Sequence, residues 1–513
     1  MQILDEDSTK ESTDTDSEVN QSIDESDKSN SDDQNDDANL LGGRGRHGSR
    51  RTSEYVTRDL TKGSISRNLW FLAWPQMIEG LLNVLDRVAD LFWAGRFFGI
   101  HAIGGLAIAQ LYTGLIMTGR QGLDMGMQAM IARAVGGGNI KLANHVALQA
   151  LTITAVFSLL MVAVGVLYTD SLLNIMGVSQ GVIEVTSLYM QIQFVGFAGQ
   201  AFRMMTGGAL QASGDTLTPM KATTISRIVH IILSPILIFG WFGLPELGLP
   251  GAAWGNVIAQ FLGVMWNFWA LFAGTSRLHL TLKGYYFDGP LLIRLIRIGL
   301  PASGTGMERS IVHLLLARLV TPFGDLALAA YGITRNLELF TAMGSMGLGR
   351  ASGTLVGQNL GAGRPDRARQ AIWWSIAYIT LIRGSLGIIL MIFPVFFITI
   401  FSGNKDLVEV AIWWVRIQAL SGLVMGSGMV FTQSFNVAGD TMAPMIVTFI
   451  AMVAVELPLA FVLSQWTPLG QYGIPIAITV AMVVRTAVYL SLIHISEPTR
   501  PRLLSYAVFC LKK

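Results

Sequence analysis

Three short stretches of this chain occur twice, and each pair is separated by the same interval. GGGNIKLA at 136–143 answers GAGRPDRA at 361–368, SGDTLTPM at 213–220 answers AGDTMAPM at 438–445, and GIHAIGGLAIA at 99–109 answers GDLALAAYGIT at 324–334. The offset is 225 residues in all three (136 to 361, 213 to 438, 99 to 324). One offset shared by three separated segments marks an internal duplication. Whatever the fold is, it must be buildable as two similar halves.

The halves are made of apolar runs joined by short turns. Of the 513 residues, 51% are hydrophobic and only 14% charged, against about 25% charged in soluble domains, and mean hydropathy is +0.50. This composition predicts an all-α polytopic membrane protein. The 55 glycines fit helices packed closely in lipid. Twelve spans are expected, near 70–96, 101–132, 142–168, 182–212, 220–242, 250–274, 290–321, 326–357, 370–402, 406–434, 443–465 and 471–493. Six spans separate equivalent points. Six is even, so the halves share one topology, and parallel repeats place a site between them on an axis along the membrane normal.

Charge orients the bundle. The loops Thr169–Gly181, Trp241–Leu249, Pro322–Leu326 and Trp466–Tyr472 hold no Lys or Arg, and one further loop on that side holds only Lys405. The opposite loops carry Lys141, Lys221, Arg277, Lys283, Arg364, Arg367 and Arg369. By the positive-inside rule both termini are expected in the cytoplasm. The expected division is an acidic then basic cytoplasmic tail (1–67, disordered), a first six-helix lobe (68–275), a cytoplasmic linker (276–289) and a second six-helix lobe (290–489). The closing stretch 490–513 resembles a translated sequencing-library adapter that interrupts the twelfth span near Tyr489.

The first span, Trp74–Gly99, carries Glu79, Asp86, Arg87 and Asp90. The carboxylates are seven and four residues apart, which puts them on one stripe of a helix. A carboxylate near the bilayer centre costs at least about 2.5 kcal/mol, so the stripe should face protein or a water-filled cavity. Asp90 and Asp86 are the leading candidates for ion coupling: two close carboxylates do not both ionise easily. The plainer readings are an ion pair of Asp90 with Arg87 and an inter-helix hydrogen bond for Asp86. Glu79, nearer the cytoplasmic end, reads first as interfacial. Glu308 (beside Arg309 and His313), His230 and Glu456 are further polar groups in apolar spans, as cavity or coupling candidates. Arg120 with Asp124, and Arg335 with Glu338, read as structural salt bridges. Flexible methionines suit a cavity that accepts many shapes.

Several chemistries are absent from the sequence. There is no G-x-x-x-x-G-K-[ST] loop to hold ATP phosphates and no H-E-x-x-H. The single cysteine, Cys510, makes no disulfide or thiolate metal site. A transporter is expected rather than an enzyme, with no metal and no cofactor beyond a coupling ion.

Pro75, Asp90, Gly95 and Gly99 in the first span, the QASGDTLTPM turn after the fourth, and GLPASG, FGDLALAAYGI and LVGQNLGAGRPDRA in the seventh and eighth resemble the multidrug and toxic compound extrusion (MATE) family over residues 60–490. The resemblance implies twelve helices in two V-shaped lobes around a central cavity. It implies export of small organic, often cationic, compounds across the plasma membrane in exchange for H⁺ or Na⁺, by alternating access. It places Asp90 at the family's first-helix acidic position. His230 stands where one branch has Asn, and Ser234 where that branch has Asp, so the fifth-helix carboxylate is missing here. The expected partners are those substrates and membrane lipids, with no nucleic acid and a monomeric state. The alternative is a lipid-linked precursor flippase of the same wider superfamily.

Overall fold

The structure is a computed structural model. It describes residues 58–97, 99–175, 180–401 and 403–496, and side chains within these except 87–108, 110–111, 180–182, 184–185, 343, 423 and 493–496. The acidic tail and the end of the adapter-like stretch lie outside the described residues.

Among the described residues, twelve long helices follow one another. They are α1 Ile65–Phe97, α2 Gly99–Gly136, α3 Ile140–Ile175, α4 Gln180–Ser213, α5 Leu217–Phe239 and α6 Leu249–Phe272, then α7 Gly289–Val320, α8 Asp325–Gly361, α9 Pro365–Ile392, α10 Lys405–Val437, α11 Met442–Gln465 and α12 Gly473–Ser496. The ninth expected span is broken: Pro394 stops α9, and a short helix Pro394–Thr399 completes it. By length and apolar composition alone, α3, α5, α9, α11 and α12 qualify as spans, with α10 a sixth as a bent pair. α1 meets its shortfall in the charged residues Glu79, Asp86, Arg87 and Asp90. The outer face is apolar: Leu159, Leu160 and Leu167 of α3 are 73%, 56% and 73% exposed, as lipid-facing positions require.

Local sequence explains the helix boundaries. In both GDT turns the glycine takes positive φ (Gly214 107°, Gly439 83°), which a side chain would resist. The following aspartate then caps the next helix. Asp215 Oδ1 accepts from Thr218 N at 3.0 Å, and Asp440 Oδ1 from Ala443 N at 3.1 Å. Asp288 caps α7 through Leu291 N at 3.0 Å and meets His145 Nε2 at 3.1 Å. Those two donors hold its carboxyl below the ordinary 3.8.

The duplication is written into the contact between halves. A Cβ on Gly136 would lie 2.0 Å from the backbone oxygen of Gln358, and one on Gly361 would lie 2.1 Å from that of Arg133. Gly136 and Gly361 are repeat partners, and so are Arg133 and Gln358. Each side therefore makes the same contact with the other. The hydrogen bonds correspond to within one residue: Arg133 donates to Ala438 O, and Gln358 Nε2 to Ala212 O at 2.9 Å. Arg364 and Arg367 extend the seam by donating to Thr61 O and Gly63 O, each at 2.9 Å. Leu69, Leu72 and Ala73 of α1 pack in one core with Leu348, Ala351 and Leu355 of α8. These contacts cluster at the end of the bundle that bears the basic loops.

One asymmetry bears on function. α11 is one residue longer than α5 (24 against 23). The extra residue is absorbed by a π-helical turn, Ile450–Glu456. Such turns re-aim side chains within a helix and are frequent at functional sites.

Candidate functional site

In the first half, α1 presents Glu79 and Asp86 to the α4–α5 hairpin and α6. Asp86 Oδ1 lies 2.6 Å from His230 Nδ1 of α5, and its Oδ2 accepts from Arg227 Nη1 one turn earlier on that helix. Glu79 accepts from Gln211 Nε2 at 2.8 Å and Thr223 Oγ1 at 3.3 Å, with Arg203 Nη1 at 3.9 Å. Arg203 in turn donates to Gln260 Oε1 of α6 at 2.7 Å and to Thr223 Oγ1 at 2.9 Å. All of these groups are buried.

Glu79 and Asp86 thus face protein, as their cost in lipid demands. The interfacial reading of Glu79 is corrected: it is only 9% exposed, because the end of α4 and the start of α5 fold over it. Asp86 makes the expected inter-helix bond and an ion pair besides. The side chains of Asp90 and Arg87 lie outside those described. Ser234 is buried against α6, where a Cβ on Gly255 would meet its Oγ at 2.8 Å; no hydrogen bond joins it to Asp86.

Among the described side chains, two carboxylates face two guanidiniums in this network, with the His230 imidazole against Asp86. An imidazole can both donate and accept a proton at its ring nitrogens.

The second half has its own network on different positions. Glu338 of α8 accepts from Arg335 Nη1 and from Gln418 Nε2 of α10, each at 2.9 Å. Glu456 is fully buried on the π turn, and among the described residues neither of its oxygens has a hydrogen-bond partner. His313 of α7 has no partner for either ring nitrogen, nor has Oε2 of the half-buried Glu308. Arg485 of α12 donates to Thr432 Oγ1 at 3.0 Å and lies over the Tyr489 ring at 5.8 Å. Arg120 and Asp124 form the expected pair, bidentate with both bonds 2.9 Å.

The halves echo one another. At the 225-residue offset His230 answers Val455, so Glu456 stands one position on, at the end of the π turn. Arg485, repeat partner of Gln260, packs against Gly428, repeat partner of Arg203. A guanidinium fills the slot in both halves, supplied from opposite helices. Arg203, Arg227 and Arg485 were not singled out from the sequence. Their signal was available: each is a charge inside an apolar helix, which needs a partner there.

A family model described as MatE matches the chain twice, over residues 75–236 and 301–462. The chain belongs to the MATE family. Its two matched segments are the two halves of the fold, and this MATE protein is a multi-pass membrane transporter. It is 27% identical over 423 residues to the probable multidrug resistance protein YoeA of Bacillus subtilis (strain 168), covering 82% of this chain and 91% of that one. It is 27% identical over 428 residues to the probable multidrug resistance protein NorM of Thermotoga maritima, covering 83% and 91%. The FAD transporter of Shewanella oneidensis is 24% identical over 447 residues, 86% of this chain and 97% of that one. Among solved structures, an outward-facing MATE transporter of the MOP superfamily superposes with a TM-score of 0.80 at 20% identity, covering 91% of this chain and all of that one. That likeness establishes the fold, twelve helices in two repeats.

Proposed function

We propose that this MATE protein is a secondary antiporter that exports small organic compounds, and that the ion it takes in exchange is the proton. The observation that carries the reading is the buried Asp86–His230–Arg227 cluster between α1 and α5. Arg227 holds a positive charge against Asp86, which disfavours a sodium ion at the same carboxylate. His230 offers a proton site in its place. Asp90, one turn further along α1, holds the position that the family resemblance marks as acidic, and is the second residue of the proposed proton path. Glu456 and Glu308 are the corresponding candidates in the second half.

The names of the multidrug-resistance relatives favour drug efflux over the flippase alternative. With the basic loops in the cytoplasm, the seam at Gly136 and Gly361 closes the cytoplasmic end. The conformation described is then open toward the outside, one of the two states that alternating access requires. The proposed location is the plasma membrane, with the N-terminus cytoplasmic.

The test is ethidium efflux from proteoliposomes under an imposed pH gradient or an imposed sodium gradient. Wild type should respond to the pH gradient, and Asp90→Asn and His230→Asn should lose that response. Full pH-driven transport by both variants, or a response to sodium alone, would sink the reading.

A further inference from the structure

Arg383 of α9 is 3% exposed inside the second lobe. It lines a pocket with Thr334, Glu338 and Thr341 of α8 and with Gln418 and Ser421 of α10. Its Nε has no hydrogen-bond partner, and among the described residues no carboxylate forms an ion pair with it. Glu338 is the carboxylate whose field reaches it, but that group already accepts from Arg335 and Gln418. Glu338 is thus engaged by Arg335 and Gln418, and Arg383 has no carboxylate of its own among the described side chains. The hydroxyls around it are committed as donors: Thr334 to Ala330 O, Thr341 to Glu338 O and Ser421 to Gln418 O. The Arg383 guanidinium and the second hydrogen of the Gln418 amide remain available as donors.

The duplication shows that the fold does not need this charge. At the 225-residue offset, Arg383 corresponds to Ser158, Glu338 to Thr113 and Gln418 to Gln193. The first lobe builds the same three-helix packing with no ionised group at those positions. A second difference accompanies the first. Gly426 of α10 stands where the first lobe has Ala201, and a Cβ at Gly426 would lie 3.1 Å from Ile379 Cγ2 and 3.3 Å from Arg383 Cδ. The missing methyl makes room for both α9 side chains, the arginine stem among them. A buried charge without a counter-charge is costly, and a side chain with space cleared for it is a built feature.

We propose that this pocket binds a small monovalent anion of halide size, held by the Arg383 guanidinium and bordered by the Gln418 amide. The pocket is narrow: α9 and α10 approach so closely that a Cβ on Gly387 would lie 3.0 Å from Ala419 O. A compact anion fits between them and supplies the partner that the Arg383 guanidinium lacks. The site is separate from the Asp86–His230 cluster, and its occupancy does not depend on which ion drives transport.

The test uses the full chain purified in detergent, with thermal unfolding followed in sodium chloride, bromide or gluconate at matched ionic strength. Halide raised from 1 to 100 mM should lift the wild-type midpoint by about 2 °C or more beyond gluconate, by preferential binding to the folded state. Arg383→Gln should lose that response. Crystals grown in bromide should show its anomalous signal at hydrogen-bond distance from the Arg383 guanidinium. Equal wild-type midpoints in halide and gluconate, an undiminished halide response in Arg383→Gln, or no bromide signal beside Arg383 would each overturn the proposal. If Arg383→Gln does not fold, the wild-type titration and the bromide signal decide it alone.

Discussion

Replacing Asp86 with asparagine keeps the shape of the side chain and removes its charge. Asp86 is 5% exposed, and so is Arg227, whose guanidinium it pairs with. The same carboxylate also meets His230 at 2.6 Å. The substitution opens no cavity, so any loss measures the electrostatics of the cluster. Breaking one partner out of a buried pair costs about 3–5 kcal/mol, because the other charge is left buried alone. Removing both partners costs far less, since neither desolvated charge remains. Asp86→Asn should therefore destabilise the protein by about 3–5 kcal/mol, and Asp86→Asn with Arg227→Gln should recover at least about 2 kcal/mol of that. Denaturant unfolding in detergent micelles, followed by tryptophan fluorescence, reads both values. An Asp86→Asn variant within about 0.5 kcal/mol of wild type, an effect no larger than an ordinary surface substitution, would refute the buried pair. Additive single and double effects would refute the coupling.

Three further outcomes are expected. A Cβ on Gly136 falls 1.4 Å short of the 3.4 Å at which ordinary contact with Gln358 O begins. Gly136→Val should thus lengthen the spin-label distance between exposed positions Lys141 and Asp366; an unchanged distribution would contradict the seam. Glu456→Gln should leave stability within about 1 kcal/mol of wild type or raise it, because neither carboxylate oxygen gives up a hydrogen bond, and a midpoint loss like that of Asp86→Asn would show a hidden partner. Asp288→Ala should cost about 0.5–2 kcal/mol near neutral pH through the lost α7 cap. Its folded-state pKa lies below 3.8, so that stabilisation is complete above the unfolded value and fades as pH falls through the folded one. A cost that persists undiminished in strong acid would contradict it.

The sequence already displayed the duplication, the helix count and the Arg120–Asp124 pair, because each is a matter of spacing along one chain. Repeat offsets and i, i+4 pairs need no knowledge of which helices meet. The partners of Glu79 and Asp86 do need it. Arg203, Gln211, Arg227 and His230 lie on α4 and α5, far away in sequence, and only the hairpin's path across α1 brings them there. Glu79 read as interfacial for that reason: spacing along α1 does not reveal the cover that Gln211 and Thr223 supply. The π turn in α11 was illegible as well. One added residue in an apolar helix leaves the composition unchanged, yet the turn it forms carries Glu456.

The central claim, proton exchange through the α1–α5 cluster, is most directly tested by watching the proton. Proteoliposomes loaded with a pH-sensitive dye and free of sodium would receive an outward or inward gradient of ethidium. The account predicts an opposing proton flux with wild type, seen as a change of luminal pH, and none with His230→Asn or Asp90→Asn. Ethidium movement by wild type with no change of luminal pH would contradict it.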